Sequence, residues 1–278
     1  MSATLTGEVA VVTGSTSGIG AATAHRLAAA GASVIVSGRR QEAGEGVVEQ
    51  ITRAGGTARF IAADVSVESQ VSALVDGAAE AFGPVTILVN NAAPTDLVGP
   101  SNVDGRLGDV STEAFESVLR VGLHGAYWAC ASAIPHMQAA GHGAIVNVSS
   151  VAGVKATPGV FAYSVAKGGL QALTRSVAAD YGSDGIRANS VIVGFVPVNP
   201  LARKWADSPA MNAAMKALQM TRFGEAEDVA SVIAFLASED AAFMSGSDVY
   251  ADGGCAIKHA IPATKKEAQE RFGAAAQG

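Results

Sequence analysis

Short apolar runs rich in β-branched residues alternate along the chain with longer, Ala-rich amphipathic runs. The short runs predict seven strands, at 9–12, 33–37, 58–62, 87–90, 144–148, 188–193 and 248–250. The longer runs predict six helices, at 19–30, 41–54, 67–82, 112–139, 164–181 and 226–238. Several predicted strands are apolar throughout, which is typical of strands buried on both faces. The pattern therefore predicts an α/β fold, a doubly wound parallel sheet of about seven strands with helices on both faces.

This alternation is interrupted in two places. Residues 196–223 follow the sixth predicted strand without a clear period, and we interpret them as a lid. Residues 258–278 are rich in Lys, Glu and Ala and form a tail, either a docked arm or a frayed end. Since no repeat or low-complexity linker divides the rest, residues 1–257 are predicted to form a single domain.

Composition argues against several classes of protein. Of the 278 residues, 49% are hydrophobic and 16% charged, which is enough apolar material for a sizeable core. The net charge of −6 and the lack of a Lys/Arg-rich run argue against a nucleic-acid partner. No uninterrupted apolar stretch approaches roughly 18 residues, so no membrane span is expected.

The start of the chain and the two cysteines bear on location. Residues 1–7 lack a basic segment followed by an apolar one, so we expect no signal peptide and a cytoplasmic protein. Cys130 and Cys255 are far apart and lack metal-ligand spacing. We therefore expect no metal site and two idle thiols in a reducing compartment.

A glycine-rich segment links the first predicted strand to the first predicted helix. Its members are Gly14, Ser15, Thr16, Ser17, Gly18, Ile19 and Gly20. Glycines let the backbone approach a pyrophosphate closely, and the start of a helix favours negative charge. The segment is therefore a candidate phosphate loop. A tight turn that binds nothing is the alternative.

Two further strand ends carry candidate nucleotide contacts. Asn91, Ala92 and Ala93 follow the fourth predicted strand, at the carboxyl edge where ligands of parallel sheets bind. Asp64 follows the third predicted strand, where its carboxylate can accept a hydrogen bond from an adenine amino group. The alternative for Asp64 is an ordinary helix N-cap.

Tyr163 and Lys167 are the candidates for proton chemistry. Four residues apart on a predicted helix, they lie on one face about one turn apart. A phenol has an ordinary pKa of about 10, and a fixed positive charge nearby lowers that pKa by favouring the phenolate. This spacing occurs on many helices by chance, so its meaning depends on the other motifs of the chain.

Five motifs occur together in one order: 13–20, Asn90-Asn91-Ala92, Val148-Ser149-Ser150, the Tyr163 and Lys167 pair, and Asp252-Gly253-Gly254. With them, residues 7–254 resemble the short-chain dehydrogenase/reductase family. The resemblance implies a Rossmann-type dinucleotide-binding and catalytic domain in which Tyr163 is the general acid/base. Ser150 would hydrogen-bond the carbinol oxygen, and Lys167 would lower the tyrosine pKa and bind the nicotinamide ribose. Ser150 is preferred to Ser149 because it precedes Tyr163 by thirteen positions.

The same resemblance extends to the reaction, the remaining cofactor contacts and the assembly. It implies an NAD(P)-dependent oxidoreductase that interconverts a secondary alcohol and a ketone by hydride transfer. It implies further cofactor contacts at Val65, Gly194 and Val196. It also implies a homotetramer, which the apolar helices predicted at 112–139 and 164–181 support.

Three positions depart from the family pattern. Gly122 replaces an Asn whose backbone carbonyl is thought to hold a proton-relay water, and the glycine keeps that carbonyl. Val193 replaces the Pro before Gly194, and Val198 replaces a Thr that commonly contacts the cofactor. These departures motivate the alternative of a non-catalytic nucleotide sensor or scaffold on the same fold.

The end of the second predicted strand bears on cofactor choice. An enzyme that prefers NAD places an acid there, whereas this chain reads Ser37-Gly38-Arg39-Arg40. Arg39 can pair with a 2′-phosphate, which predicts NADP(H) as the cofactor. NAD(H) stays open because residues 15–17 are neutral and add no second basic group. Arg39 as a solvated loop residue is the alternative.

The candidate substrate wall is mostly apolar. Its members are Pro94, Thr95, Val151, Phe195, Trp205, Met211 and Met215. Arg203 and Lys204 lie nearby, but they equally suit a solvent-facing position. In the family, reductases of acyl groups on acyl carrier protein carry basic residues near the positions of Gly141 and Ala179. We therefore expect a small neutral alcohol or ketone as the substrate.

Overall fold

The computed structural model describes residues 4–98, 103–218 and 221–257. Its seven strands are β1 (Val9–Val12), β2 (Ser33–Gly38), β3 (Thr57–Ala62), β4 (Ile87–Asn90), β5 (Gly143–Ser150), β6 (Ile186–Val193) and β7 (Asp248–Ala251). They form one parallel sheet in the order β3-β2-β1-β4-β5-β6-β7. The predicted parallel sheet is confirmed, and all seven predicted strands are present.

Helices cover both faces of this sheet. They are α1 (Gly18–Ala29), α2 (Gln41–Arg53), α3 (Glu68–Phe82), α4 (Thr112–Leu119), α5 (Gly125–Ala140), α6 (Phe161–Tyr181), α7 (Pro200–Asp207), α8 (Pro209–Leu218) and α9 (Ala226–Ala237). Helices α1, α2 and α9 bury their apolar residues on one face, and α3, α5 and α6 bury theirs on the other. The core therefore consists of two apolar layers separated by the sheet. No helix among the described residues combines the length and apolarity needed to cross a membrane.

The helix predicted at 112–139 is interrupted in the structure. A π-helical turn, Arg120–His124, joins α4 to α5. Two glycines at this turn lie close against neighbouring segments. A Cβ on Gly122 would lie 2.9 Å from the Cβ of Ala166, and one on Gly125 would lie 2.6 Å from the carbonyl oxygen of Val65. The apolar periodicity on either side gave no sign of this turn.

The two segments that interrupt the alternation remain. Residues 196–223, interpreted as a lid, contain α7 and α8, with 219–220 outside the described residues. Asn199 caps α7 by accepting a hydrogen bond from the amide of Ala202 at 2.8 Å, and Pro200 occupies the first turn. The predicted tail, 258–278, lies outside the described residues.

The chain order of the strands creates a crevice at the carboxyl edge. From β1 the chain runs outward to β2 and β3, and it then returns to the other side of β1 to form β4. The loops after β1 and β4 therefore leave the sheet in opposite directions. This is where open parallel sheets bind their ligands.

Candidate active site

Helix α6 carries Tyr163 and Lys167, and its first turn is held by a distant carboxylate. Asp104, in the loop between β4 and α4, accepts hydrogen bonds from the amides of Ala162 and Tyr163, each at 2.9 Å. Asp104 is buried, and the carbonyl of the adjacent Gly105 accepts from the amide of Phe161. Because residue 160 is a valine without a capping group, this loop supplies the missing cap. Asp104 was not among the predicted site residues, and no local signal in the sequence marks it as a cap for α6.

A buried chain of polar side chains ties α6 to the sheet. Asn90 donates to Asn147 at 2.9 Å, and Asn147 donates to Thr174 at 2.8 Å. Thr174 in turn shares a hydrogen bond of 2.8 Å with Ser190. These residues lie on β4, β5, α6 and β6, so the chain crosses the layer between helix and sheet. It helps to fix the position of Tyr163 relative to the strand ends.

The two serines at the end of β5 point to opposite sides, as neighbouring residues of a strand must. Ser149 is buried and donates to the carbonyl oxygen of Lys167 at 2.9 Å. The side chain of Ser150 forms a hydrogen bond with the phenol of Tyr163. Its oxygen also accepts from the amide of Ala152 at 3.2 Å. Of the two, Ser150 is therefore the one that shares a site with Tyr163.

Lys167 is buried beside the same phenol. Its Nζ donates to the carbonyl oxygen of Val148 at 2.7 Å and lies 5.6 Å from the centre of the Tyr163 ring. Burial lowers the pKa of Lys167 from 10.5 to about 8, because a desolvated ammonium group is disfavoured. Ser150, Tyr163 and Lys167, which the sequence analysis selected, are thus brought together at the carboxyl edge of β5.

The expected lowering of the Tyr163 pKa is not found. Burial raises the pKa of Tyr163, and the hydrogen bond with Ser150 opposes that rise without cancelling it. The physical reason is that desolvation penalises the phenolate as it penalises the Lys167 ammonium. The spacing of the two residues did not reveal how deeply the site is buried.

Close backbone packing shapes the candidate phosphate loop. A Cβ on Gly20 would lie 2.4 Å from the carbonyl oxygen of Gly14 and 2.5 Å from Nδ2 of Asn91, so only glycine fits there. Asn91 donates to the carbonyls of Thr13 and Gly14, both at 3.0 Å, and thereby braces the loop. Ser17, at the N-cap of α1, makes no side-chain capping bond. The first turn of the helix is therefore open to a phosphate group.

The hydroxyls of this loop have different surroundings. Ser15 is buried, donates to the carbonyl oxygen of Val12 at 2.6 Å and accepts from the amide of Ser37 at 2.8 Å, so its side chain is structural. Thr16 and Ser17 instead accept hydrogen bonds from the guanidinium of Arg40, at 3.2 and 3.1 Å. The loop itself carries no basic residue, as its sequence shows, and the second basic group beside it is Arg40, which follows β2. The available signal was the strand order, which puts the end of β2 beside the loop after β1.

Arg39 follows β2 and Asp64 follows β3, so both lie at the carboxyl edge of the sheet, as the phosphate loop does. Arg39 forms an ion pair with Asp96, in the loop after β4. Burial opposes ionisation of Asp64, but hydrogen bonds from the amide and hydroxyl of Ser66 outweigh it and, with the charge of Arg39, lower the pKa of Asp64. The amide and hydroxyl bonds to Asp64 are 2.9 and 2.7 Å long. Asp64 therefore caps a turn of its own and not helix α3, whose N-cap is Val67.

The residues that depart from the family pattern have packing roles. Gly122 lies against Ala166, one residue before Lys167. Val193, the last residue of β6, is buried in the core. A Cβ on Gly194, which follows it, would lie 2.7 Å from the backbone of Asp252, so this glycine lets β6 approach the turn after β7. Val198, where the family commonly has Thr, packs on the phosphate loop, since a Cβ on Gly18 would lie 3.2 Å from the Val198 side chain.

The candidate substrate wall is only partly assembled from the predicted residues. Pro94 is buried against Gly122, whereas Thr95 is exposed. Phe195 packs edge-on against Phe223, with ring centres 5.1 Å apart. Val151, Trp205 and Met215 are partly buried, and the side chain of Met211 lies outside the described part of the structure. Both Arg203 and Lys204 are exposed. Val196 is partly buried and packs against Gly224.

Comparisons with known proteins agree with these observations. The family model described as enoyl-(acyl carrier protein) reductase matches residues 14–256. Cis-4-hydroxycyclohexanecarboxylate dehydrogenase of Sinomonas cyclohexanicum is 41% identical over 246 residues, 88% of this chain and 95% of that protein. Cyclohexanol dehydrogenase of Acinetobacter sp. (strain SE19) is 36% identical over 253 residues, 91% of this chain and 96% of that protein.

A solved structure extends the likeness to the whole fold. A gluconate 5-dehydrogenase from Burkholderia cenocepacia J2315, in complex with NADP and tartrate, has a TM-score of 0.84 and 30% sequence identity. The match covers 92% of this chain and 98% of that one. The chain belongs to the short-chain dehydrogenase/reductase family, as its motifs indicate. It is an NAD(P)-dependent oxidoreductase that acts on CH–OH groups.

Proposed function

We propose that this enzyme interconverts a neutral secondary alcohol and the corresponding ketone, with Tyr163 as its general acid/base. The observation that carries the proposal is the hydrogen bond between Ser150 and the Tyr163 phenol, with Nζ of Lys167 5.6 Å from the ring centre. In the proposed reaction, the Tyr163 phenol exchanges a proton with the substrate oxygen, the Ser150 hydroxyl binds that oxygen, and the Lys167 cation lies nearby.

Each of these residues has a distinct task in the proposed reaction. A nicotinamide cofactor held in the crevice would supply the hydride chemistry in either direction. In oxidation, the Tyr163 phenolate takes the hydroxyl proton while the carbon–hydrogen bond breaks. Ser150 donates a hydrogen bond to the same oxygen, and Lys167 balances the phenolate charge and holds the nicotinamide ribose. The carbonyl of Gly122 remains the proposed anchor of a proton-relay water.

We propose NADP(H) as the preferred cofactor. The support is the absence of an acid at the end of β2 together with two arginines, Arg39 and Arg40, at that edge. The remaining proposed contacts are those of the phosphate loop, of Asp64 and Val65, of 91–93, and of Gly194 and Val196. The NADP-bound relative has the same fold. Residues 196–223, with α7 and α8, form the proposed lid.

We propose a small alicyclic alcohol as the substrate. The relatives named above act, by their names, on cyclohexanol and on a hydroxycyclohexane carboxylate. The mostly apolar candidate wall suits a ring of this size. The lack of basic residues at Gly141 and Ala179 disfavours an acyl carrier substrate, despite the description of the family model.

The two free cysteines suit the proposed cytoplasmic location.

The variant Tyr163→Phe tests the proposed mechanism. Removal of a general acid/base lowers kcat by roughly 10²–10⁴-fold, whereas cofactor affinity should be nearly unchanged. Tyr181→Phe is the matched control, since it makes the same deletion at the end of the same helix. Both variants are assayed with cyclohexanol and cyclohexanone beside linear alcohols and ketones, and cofactor binding is followed by fluorescence.

Two results would contradict the proposal. If Tyr163→Phe kept more than about a tenth of the wild-type kcat, Tyr163 would not be the proton donor. If the wild-type protein bound cofactor but turned over none of the alcohols and ketones, the result would favour the non-catalytic sensor over the enzyme. The named dehydrogenase relatives do not favour that alternative.

A further inference from the structure

Two adjacent arginines after β2 contact different parts of the cofactor crevice. The guanidinium of Arg40 donates to Thr16 and Ser17, on the loop that follows β1. Arg39 is paired with Asp96, on the loop that follows β4. Because β1 lies between β2 and β4 in the sheet, the Arg39–Asp96 pair spans the edge from which the phosphate loop emerges.

Residue 38 is a glycine, so the end of β2 carries no acid of its own. A Cβ on Gly38 would lie 2.8 Å from Cγ2 of Thr16, so a larger residue there requires the Thr16 side chain to shift. The carboxylates near this edge come instead from other strands, Asp64 after β3 and Asp96 after β4. Arg39 interacts electrostatically with both, since its charge also lowers the pKa of Asp64.

The pair formed by Arg39 is open to competition. The Arg39 side chain is 65% exposed and that of Asp96 70% exposed. An exposed ion pair favours its closed form by at most about fivefold, so an arriving phosphate group can replace the carboxylate. Until it does so, the charge that Arg39 offers to an anion is largely neutralised by Asp96. Arg40, held by two neutral hydroxyls, keeps its charge for an anion.

We propose that Asp96 is a specificity-determining residue that competes with the 2′-phosphate of the cofactor for Arg39. Arg40 is then the cation that the free site presents at the phosphate loop, and Arg39 becomes available only when its pair with Asp96 opens. The preference for a 2′-phosphorylated cofactor is therefore weaker than it would be if both Arg39 and Arg40 were free to bind the 2′-phosphate. This inference rests on the proposed use of NADP(H).

Binding of two nucleotide fragments tests the inference without turnover. Adenosine 2′,5′-bisphosphate and adenosine 5′-monophosphate differ only in the 2′-phosphate, and calorimetry gives the Kd of each. Asp96→Asn should bind the bisphosphate about two- to fivefold more tightly than the wild type, with the Kd of the monophosphate unchanged. Arg40→Ala should weaken the bisphosphate about tenfold or more. Glu49→Gln is the matched control, because Glu49 also forms an exposed pair, with Arg53, away from the crevice.

The outcomes separate this inference from the cofactor proposal. If the wild type prefers the bisphosphate and Asp96→Asn does not strengthen that preference, the inference fails and the cofactor proposal stands. If Asp96→Asn weakens the binding of both nucleotides, Asp96 is a ligand of the ribose and not a competitor of the 2′-phosphate. That result overturns the inference. If neither the wild type nor Asp96→Asn prefers the bisphosphate, both proposals fail. A preference that appears only in Asp96→Asn supports the competition for Arg39 but overturns the proposal that the wild type prefers NADP(H).

Discussion

Tyr163 and Lys167 sit in surroundings that disfavour a charge on either side chain. Burial raises the pKa of Tyr163 and lowers that of Lys167 to about 8. Each group is therefore least costly to the fold in its neutral form, whereas the proposed chemistry requires charged forms of both. Active sites commonly hold groups in such unfavourable states, and the rest of the fold compensates for them.

The pKa of Lys167 predicts a particular dependence of stability on pH. Between pH 8 and 10.5 the unfolded chain holds a proton that the folded lysine has lost, so stability rises with pH across that window. The cost of the buried charge is fully present below the folded pKa and amounts to about 3 kcal/mol. The replacement Lys167→Met removes this cost at every pH. We therefore expect its stability relative to the wild type to decline from pH 7 to pH 10.5.

Urea unfolding of the two proteins across this range checks the prediction. Only the change with pH is diagnostic, because loss of the hydrogen bond to the Val148 carbonyl shifts the difference by a constant amount. A difference in stability that stays flat from pH 7 to pH 10.5 would show that the folded lysine titrates normally.

At the scale of elements, the start of α6 depends on the loop that carries Asp104. The replacement Asp104→Ala leaves the amides of Ala162 and Tyr163 without their acceptor and should lower the free energy of unfolding by about 2 kcal/mol. It should also lower kcat by roughly ten- to a hundredfold, because Tyr163 lies in the released turn. Asp104→Asn retains one acceptor oxygen and should recover part of both losses.

The N-cap of α4 provides the control for this prediction. Ser111 accepts a hydrogen bond from the amide of Ala114 at 3.2 Å, in an exposed first turn away from Tyr163. Ser111→Ala should cost about 1 kcal/mol of stability and leave kcat unchanged. Thermal unfolding and steady-state kinetics on all three variants separate the two effects. Equal kcat values for Asp104→Ala and Ser111→Ala would reduce Asp104 to a purely structural cap.

The π-helical turn at Gly122 leads to a second prediction for the elements. Alanine normally stabilises a helix interior relative to glycine by about 1 kcal/mol. At Gly122 the added Cβ would lie 2.9 Å from that of Ala166, so Gly122→Ala should destabilise the protein by about 1–3 kcal/mol. At Gly46, inside α2, the added Cβ meets nothing within 4 Å, and Gly46→Ala should stabilise. Urea unfolding gives the sign of the change in the free energy of unfolding for each replacement. If both replacements stabilised the protein, the packing role of Gly122 would be refuted.

At the scale of the whole molecule, apolar surface remains uncovered on α5 and α6. Tyr127 on α5 is 55% exposed and Val165 on α6 is 39% exposed. On α6 the exposed positions Val165, Ala172 and Ala179 recur every seven residues and so share one face. A patch of this kind on a single chain indicates an interface, which supports the proposed homotetramer.

Light scattering tests the assembly. The wild type should have four times the chain mass of 27.8 kDa at micromolar concentration. Ala172→Glu puts a charge into the shared face and should yield smaller species that remain folded. Ala73→Glu, at an exposed position on α3, is the control and should leave the mass unchanged. A wild-type monomer would refute the proposal, and a stable dimer would limit it to one interface.

Much of the fold was predictable from local pattern. Strand and helix periodicities are set within a few residues, so all seven strands and most of the helices could be identified, although α4 and α5 were predicted as one helix and α7 and α8 were not predicted. Ser150, Tyr163 and Lys167 were recognisable because their spacing and order are properties of the chain itself. The helix break at Gly122 was not predictable, because the close contact of Gly122 with Ala166 on another helix has no trace in the local sequence.

Tertiary structure alone decided the rest of the candidate site. The cap on α6 comes from Asp104, 58 residues before Ala162, and Arg40 reaches the phosphate loop only because β2 lies beside β1. The direction of the Tyr163 pKa depends on how much solvent the surrounding elements exclude. Hydrogen bonds between distant segments and desolvation arise from packing in three dimensions, whereas periodicity and motif spacing are already present in the order of the residues.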